Sequence, residues 1–502
     1  MLRLFHSGRI NGAWLAFLGS IVVLGLLIAM LAWPAGSEPS KTPLLVYCAA
    51  GLMTSVTAIA KEYEAESGVP IHLNFGGSQT LLAEFEINKR GDLYLPADNS
   101  YLGMARKKDL IAEVIPLASM NVMLAVKKGN PKGIKVLDDL LKEGVKLSQT
   151  NPDAAAVGKL TREKMEKLGR WEELKKHTTV FKGTVNDVAA DIKIGSVDAG
   201  FVWDVFLIQY PDLEKIPIPE LDGVSAKMSV AVLKSSANAT AALRFARYLS
   251  ARDKGLKEFE RNGFKPLSGD TWTGTPELRL MSGAMLRPAI EETIIAFEQR
   301  EGCRVTRVYN GCGILVAQMK SGQHPDAYFA CDSTFMTQVS DLFLDSTEIS
   351  TNQLVIIVKK GNPRNIHGLK DLGQANLKIG VGHEQQCALG ALTKNMLETA
   401  GRYNVVAKNV KVQSPTGDML VNQLRTGSLD AVIAYASNMT HNKDELEAIG
   451  IDIDCATATQ PYAVGKESGN AQLALRLLDA IKSGASKERF VKNGFHWQGA
   501  PK

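Results

Sequence analysis

Apolar and polar positions change their period repeatedly along this chain. From residue 44, LLVYCAA is an unbroken apolar run of strand length, TSVTAIAKEYEAESG (54–68) is apolar at helical spacing and closes on a glycine, and IHLNF (71–75) returns to strand length. Short buried strands alternating with amphipathic helices predict an α/β fold built on a mainly parallel sheet. Such a sheet binds ligands where its strands run through loops into helix N-termini. The loops AAGLMTS, FGGSQT and TNPDAAAVG stand at three such places. Their small and hydroxyl residues equally suit tight turns and helix caps, so no one loop specifies a ligand by itself.

The pattern from residue 44 occurs twice. With an offset of 234, residues 45–101 lie over 279–335 without a gap, pairing Ala50 with Ala284, Glu64 with Glu298, Gly68 with Gly302, Gly77 with Gly311, Asp92 with Asp326, Tyr94 with Tyr328 and Asp98 with Asp332. An offset of 232 then places VKKGNP (126–131) on VKKGNP (358–363) and GSVDA (195–199) on GSLDA (427–431). Two copies of one module are expected, at 43–267 and 277–500, joined by the turn-rich linker SGDTWTGTP (268–276). Each should comprise two α/β lobes joined by crossover strands, with VKKGNP near the return into the second lobe.

One run has no period. Residues 13–33, AWLAFLGSIVVLGLLIAMLAW, are 21 positions without a charge, close to the ~20 a bilayer-spanning helix needs. Trp33 and Pro34 stand where a signal peptidase would want small residues, so residues 1–36 are expected to be an uncleaved anchor, with a cleaved signal as the alternative. Arg3 and Arg9 precede the run, which puts the remainder of the chain outside the cytoplasm. This leaves about a dozen residues inside, too few for a transducing domain.

Composition narrows the picture further. Of 502 residues 45% are apolar and 22% charged, a globular balance, and the formal charge of +5 is spread over mixed runs without a basic stripe; nucleic acid is excluded as a partner on that ground. Six cysteines with no CxxC pair make neither a disulfide scaffold nor a zinc knuckle. No GxSxG, Walker loop or HExxH template appears, and the chain is expected not to be an enzyme. HEQQC (383–387) is a near miss that offers His383 and Cys387, with Cys312 nearby, as soft metal donors; an ordinary loop with a packed thiol is the plainer reading. Asp92, Asp98 and their repeats Asp326 and Asp332 suit strand-end hydrogen bonds better than acid catalysis.

Read together, VYCAAGLMTSV, NFGGSQTLLAEF, GDLYLPADNSYL, VKKGNP, TNPDAAAVGKLTREKMEKLGRW, TVNDVAADIKIGSVDAGFVW and TGDMLVNQLRTGSLDAVIAY resemble the molybdate- and tungstate-binding proteins of ABC importers, two-lobed extracytoplasmic solute-binding proteins of type II. The resemblance implies tandem two-lobed modules that capture a tetrahedral oxyanion, need no cofactor or metal, and deliver their ligand to a membrane permease from the periplasmic side. Phosphate, sulfate or a metal ion are alternative ligands, and a ligand-free docking or sensing subunit is an alternative role. Carried over by position, the first site would use Gly51, Ser78, Ala156, Val185 and Trp203, and the second Ser282, Met285, Cys312, Cys387, Gly417 and Tyr435. Gly51 and Trp203 replace family hydroxyls, which would cost two donors. Met285, Cys312 and Asp418 would make the second site a poorer place for a dianion.

Overall fold

The computed structural model describes residues 42–499, so the apolar run 13–33 lies outside the described residues. Among the described residues no helix is long and apolar enough to cross a membrane. The elements fall where the periods place them. The first apolar run is β1 (Leu44–Ala49), the amphipathic stretch is α1 (Met53–Ser67), and β2 (Ile71–Gly76) follows. Gly68 ends α1 with φ of 71°, a left-handed stop that glycine adopts without a Cβ penalty.

The first module continues with α2 (Ser78–Asn88), β3 (Leu93–Leu95), β4 (Ile111–Lys127), β5 (Leu147–Thr150), α3 (Ala156–Lys167), β6 (Thr178–Lys182), α4 (Val185–Ile194), β7 (Ala199–Trp203), β8 (Leu213–Ile216), β9 (Ser225–Leu233), α5 (Ala239–Ser250) and β10 (Lys265–Pro266). Its strands run in the order β2-β1-β3-β9-β4-β7-β5-β6, with β8 and β10 also on β4. The long β4 changes partner along its length. Residues 111–121 pair with β9, and residues 122–126 pair with β7. Each half of β4 thus belongs to a different sheet, which makes two lobes. The chain crosses outward on β4 and returns at the start of β9, where the Val122 N–H donates to the Val224 carbonyl at 2.9 Å.

The second module repeats this order in β11 (Glu277–Gly283), β12 (Arg304–Asn310), β13 (Ala327–Phe329), β14 (Thr347–Lys359), β15 (Ile379–Gly382), β16 (Val410–Ser414), β17 (Ala431–Tyr435), β18 (Leu446–Gly450), β19 (Thr457–Val464) and β20 (His496–Trp497). Its helices include α6 (Arg287–Glu301), α7 (Cys312–Lys320), α8 (Ala388–Thr399), α9 (Gly417–Arg425) and α10 (Ala471–Ile481). The VKKGNP strings do not sit at the return. They start on the last residues of β4 and β14, at the far end of the outgoing strand, because the turn that follows keeps the chain inside the second lobe.

Each module buries its own apolar core, and what joins them is polar. Glu301, at the end of α6, is 1% exposed and sits between Arg247 of α5 and Arg476 of α10. Arg476 Nε and Nη2 donate to its two carboxylate oxygens at 2.6 and 3.1 Å, and Arg247 Nη1 donates to Oε2 at 3.2 Å. Arg300 makes a second, bidentate pair with Glu113 across the same boundary at 2.7 and 2.9 Å. The linker is part of this joint. Asp270 accepts the Gln472 and Leu473 N–H groups at the N-terminus of α10 at 2.8 and 3.0 Å, satisfying two orphan donors with a favourably placed charge. Trp272 packs edge-on against Tyr248 of α5.

Candidate ligand clefts

In the first module the ends of β1, β2, β3, β5 and β7 and the loop after β6 meet between the lobes. Gly51, Ser78, Ala156, Val185 and Trp203 all line the space between them, about 10 Å³. That is room for about one water-sized group, far below the ~300–1,000 Å³ of pockets for drug-sized molecules, and leaves a small ion as the candidate occupant. The other lining residues are alanine, glycine, valine and Thr184, with no charged side chain. Positive potential comes instead from the backbone, because α2, α3 and α4 all begin here. The N-caps of α2 and α3, Gly77 and Ala155, offer no side-chain cap, so first-turn N–H groups other than that of Gln79 remain available to an anion.

The lobes are closed on each other. Gln79 N–H donates to the Ala154 carbonyl at 3.0 Å, and a Cβ at Gly77 would lie 2.4 Å from that oxygen and 2.9 Å from the Gly183 carbonyl. Glycine at 77 is what lets the two backbones approach. Ser78 is buried and has two duties: its Oγ accepts the Ala97 N–H at 3.1 Å, which leaves the hydroxyl proton free to donate into the cleft. The loss expected at Trp203 is smaller than the sequence implies. The indole N–H takes no acceptor among the described residues, and Nε1 lies 3.0 Å from where a Cβ at Gly51 would stand. Trp203 therefore replaces a family hydroxyl with another donor, and the missing side chain at Gly51 makes room for its larger ring.

The second cleft keeps the frame and changes the lining. Met285 occupies the position of Gly51 and Tyr435 that of Trp203, a reciprocal exchange of large and small. Cys312 begins α7 as Ser78 begins α2, and its Sγ accepts the Cys331 N–H at 3.1 Å in the way Ser78 accepts from Ala97. Cys387 caps α8 in the position of Ala155. Its thiol donates to the His383 and Ser414 carbonyls at 3.5 Å, and burial pushes it up to about 11. Ser282 is not brought to the site: it is wholly buried on β11 and donates to the Gly283 carbonyl. Gly417, at the start of α9, lies against Asn438, whose Oδ1 would be 2.3 Å from a Cβ there.

Two expectations change with these positions. Asp418 is exposed and accepts from Asn438 Nδ2 at 2.9 Å, so its carboxylate is held to one side and does not confront a ligand. Among the described residues no three His, Cys, Asp or Glu side chains are grouped to hold a metal, and the Cys387 thiol is turned to backbone carbonyls. The repeated aspartates do what strand ends require. Asp92 and Asp326 accept the Leu45 and Arg279 N–H groups at 2.8 and 2.7 Å, and Asp98 and Asp332 cap the next turn through Ser100 and Thr334. Sequence reading missed Cys331, whose counterpart Ala97 carries no chemistry to draw attention to it.

Residues 44–265 and again 278–496 match the family of bacterial extracellular solute-binding proteins. The chain belongs to that family. This solute-binding protein is 25% identical over 235 residues to the molybdate-binding protein ModA of Mycobacterium tuberculosis, covering 46% of its own length and 87% of the relative's. It is 24% identical over 229 residues to ModA of Escherichia coli, covering 44% and 88%. Among solved structures it is similar to the periplasmic molybdate-binding protein of Azotobacter vinelandii, with 16% identity, a TM-score of 0.39, and coverage of 45% and 100%. It is also similar to the sulfate-binding protein SubI of M. tuberculosis, with 17% identity, a TM-score of 0.39, and coverage of 44% and 86%. Each relative spans roughly one module, so the tandem arrangement doubles a unit that these proteins use singly.

Proposed function

We propose that the first module captures a tetrahedral oxyanion of the molybdate or tungstate class outside the cytoplasm and delivers it to the permease of an ABC importer, with the run 13–33 as its tether. The observation that carries this reading is the small cleft at three helix N-termini, lined by small neutral residues. Helix dipoles and backbone N–H groups favour a dianion without lysine or arginine. A cleft without a carboxylate also selects against protonated phosphate, whose O–H would be poorly paired on burial, at a cost of up to ~1–3 kcal/mol.

Calorimetric titration of the full chain with molybdate, tungstate, sulfate and phosphate tests this. One molybdate or tungstate per chain, bound at least 100-fold more tightly than phosphate, is the expected result. Heat with sulfate alone would redirect the proposal to that anion, and no heat with any of the four would remove it.

A further inference from the structure

The residues that separate the second cleft from the first are mostly sulfur. Gly51, Ser78, Ala97 and Ala155, which line the first cleft, correspond to Met285, Cys312, Cys331 and Cys387, so four equivalent positions have each gained a sulfur atom. Drift would not concentrate sulfur in one cleft while leaving its backbone frame intact. A fifth position has moved with them. Ala49 corresponds to Gly283, and a Cβ there would lie 2.0 Å from Cys331 Sγ and 3.2 Å from Cys312 Sγ. Both sulfurs therefore occupy the space that the methyl group has vacated, and they are immediate neighbours over the same glycine.

We propose that the second cleft is a binding site for a soft, thiolate-seeking metal ion of the Cu(I) class, held between the sulfurs of Cys312 and Cys331. Thiolate ligands select soft ions. A two-sulfur site favours Cu(I) over Zn²⁺, which wants about four ligands, and among the described residues no third His, Cys, Asp or Glu is in place to supply them. The Met285 thioether, two residues beyond Gly283 on the loop that leaves β11, is a soft donor suited to the same ion. Binding takes two thiols and one Cu⁺ to a bis-thiolate complex carrying one negative charge, with two protons released to solvent and no change in oxidation state. That charge forms at the N-terminus of α7, so the anion-favouring frame of the fold is used again for a different anion.

A further observation points to an occupant. The Tyr435 hydroxyl is fully buried, has no hydrogen-bond partner among the described residues, and lies within electrostatic reach of Cys312, Cys331 and Cys387. A thiolate sulfur would give this orphaned O–H an acceptor, the outer-shell role that tunes metal sites.

The test is to reduce the full chain under anaerobic conditions and titrate it with Cu(I) in competition with a chromophoric Cu(I) chelator. The native chain should withhold one Cu(I) and show thiolate-to-copper charge-transfer absorption. Cys312→Ser and Cys331→Ala restore the residues that the first module carries, so the fold should survive; each should weaken retention at least tenfold, and together they should abolish it. Cys48→Ser and Cys455→Ser should retain the ion as the native chain does. The proposal is overturned if the native chain loses all Cu(I) to the chelator, or if the double variant holds it equally well. Molybdate titration of the same double variant keeps this outcome separate from the oxyanion reading, which it should leave unchanged.

Discussion

The two clefts share a backbone and differ in what covers it. In the first, glycine, alanine and serine leave helix N-termini bare and a tryptophan supplies one N–H; in the second, a thioether and three thiols fill the same positions around a tyrosine. The frame is conserved because it is dictated by strand ends and helix starts, which the apolar pattern sets. The lining is free to change because each loop contributes only one or two side chains. The exchange of Gly51 and Trp203 for Met285 and Tyr435 shows the constraint that remains: volume lost at one position is recovered at its neighbour, as dense packing requires.

The largest effect should come from the joint that holds the two clefts in one molecule. Removing one member of a buried ion group typically costs ~3–5 kcal/mol, because it strands the remaining charge. Glu301→Ala leaves Arg247 and Arg476 facing each other, and thermal or urea unfolding should show a loss of that size. If the modules unfold independently of each other, Glu301→Ala should affect only the second transition and the loss should be far smaller. The pH dependence gives a second reading. Burial opposes the ionised form of Glu301, yet its two arginines hold its carboxyl below the ordinary range. A carboxyl with a lowered folded value stabilises the fold above the unfolded value of ~4.3 and ceases to do so as pH falls through the folded value. Stability of the native chain should therefore fall more steeply below about pH 4.3 than that of Glu301→Gln.

Next in size is an attempt to convert the first cleft toward the second. In Gly51→Met the new side chain meets Trp203 at 3.0 Å and Val185 at 3.3 Å from its first carbon, and overpacking of this kind costs ~1–3 kcal/mol. Oxyanion affinity should fall by about 10- to 100-fold on the same free-energy scale. Adding Trp203→Tyr, which restores the pairing of the second module, should recover most of the lost stability and little of the affinity. Full recovery of affinity would show that the cleft depends on the frame alone and that its lining is incidental.

Much of this was legible in the sequence. The repeat and the α/β fold follow from periodicity, and the convergence of Gly51, Ser78, Ala156, Val185 and Trp203 follows from the resemblance of the loops at the strand ends to those of the solute-binding family. What was illegible has a common cause. Cys331 becomes notable only beside Cys312 and Gly283, which reach it from other loops. The Trp203 N–H becomes a candidate donor only once the fold shows that it lines the cleft and has no acceptor of its own among the described residues. Arg247, Glu301 and Arg476 each read as an ordinary polar face of a helix, and the group they form is not repeated between the modules: Arg476 has a counterpart in Arg244, but the position equivalent to Glu301 is Ser67. Pairings across distant segments leave no mark on local pattern.

The smallest effect, and the one that separates frame from lining most cleanly, is expected at Ser78. Its oxygen accepts the Ala97 N–H while its proton is free for a ligand, so a simple truncation confounds two losses. Ser78→Ala removes both and leaves the buried Ala97 N–H unpaired, which costs ~1–3 kcal/mol in stability and should also weaken oxyanion binding by about 0.5–1.5 kcal/mol, the usual net worth of one hydrogen bond. Ser78→Cys divides them. In the second module Cys312 accepts the equivalent N–H of Cys331 at 3.1 Å, so a thiol at 78 should keep the backbone bond and most of the stability. It is, however, a weak donor, so affinity should fall nearly as far as in the alanine variant. Parallel melting and calorimetry on the two variants read the two quantities separately. If Ser78→Cys binds molybdate or tungstate as tightly as the native chain, the serine is a cap and the ligand is held by main-chain donors; if it binds as weakly as Ser78→Ala, the hydroxyl proton is part of the site, and its absence is one reason the second cleft must serve another ligand.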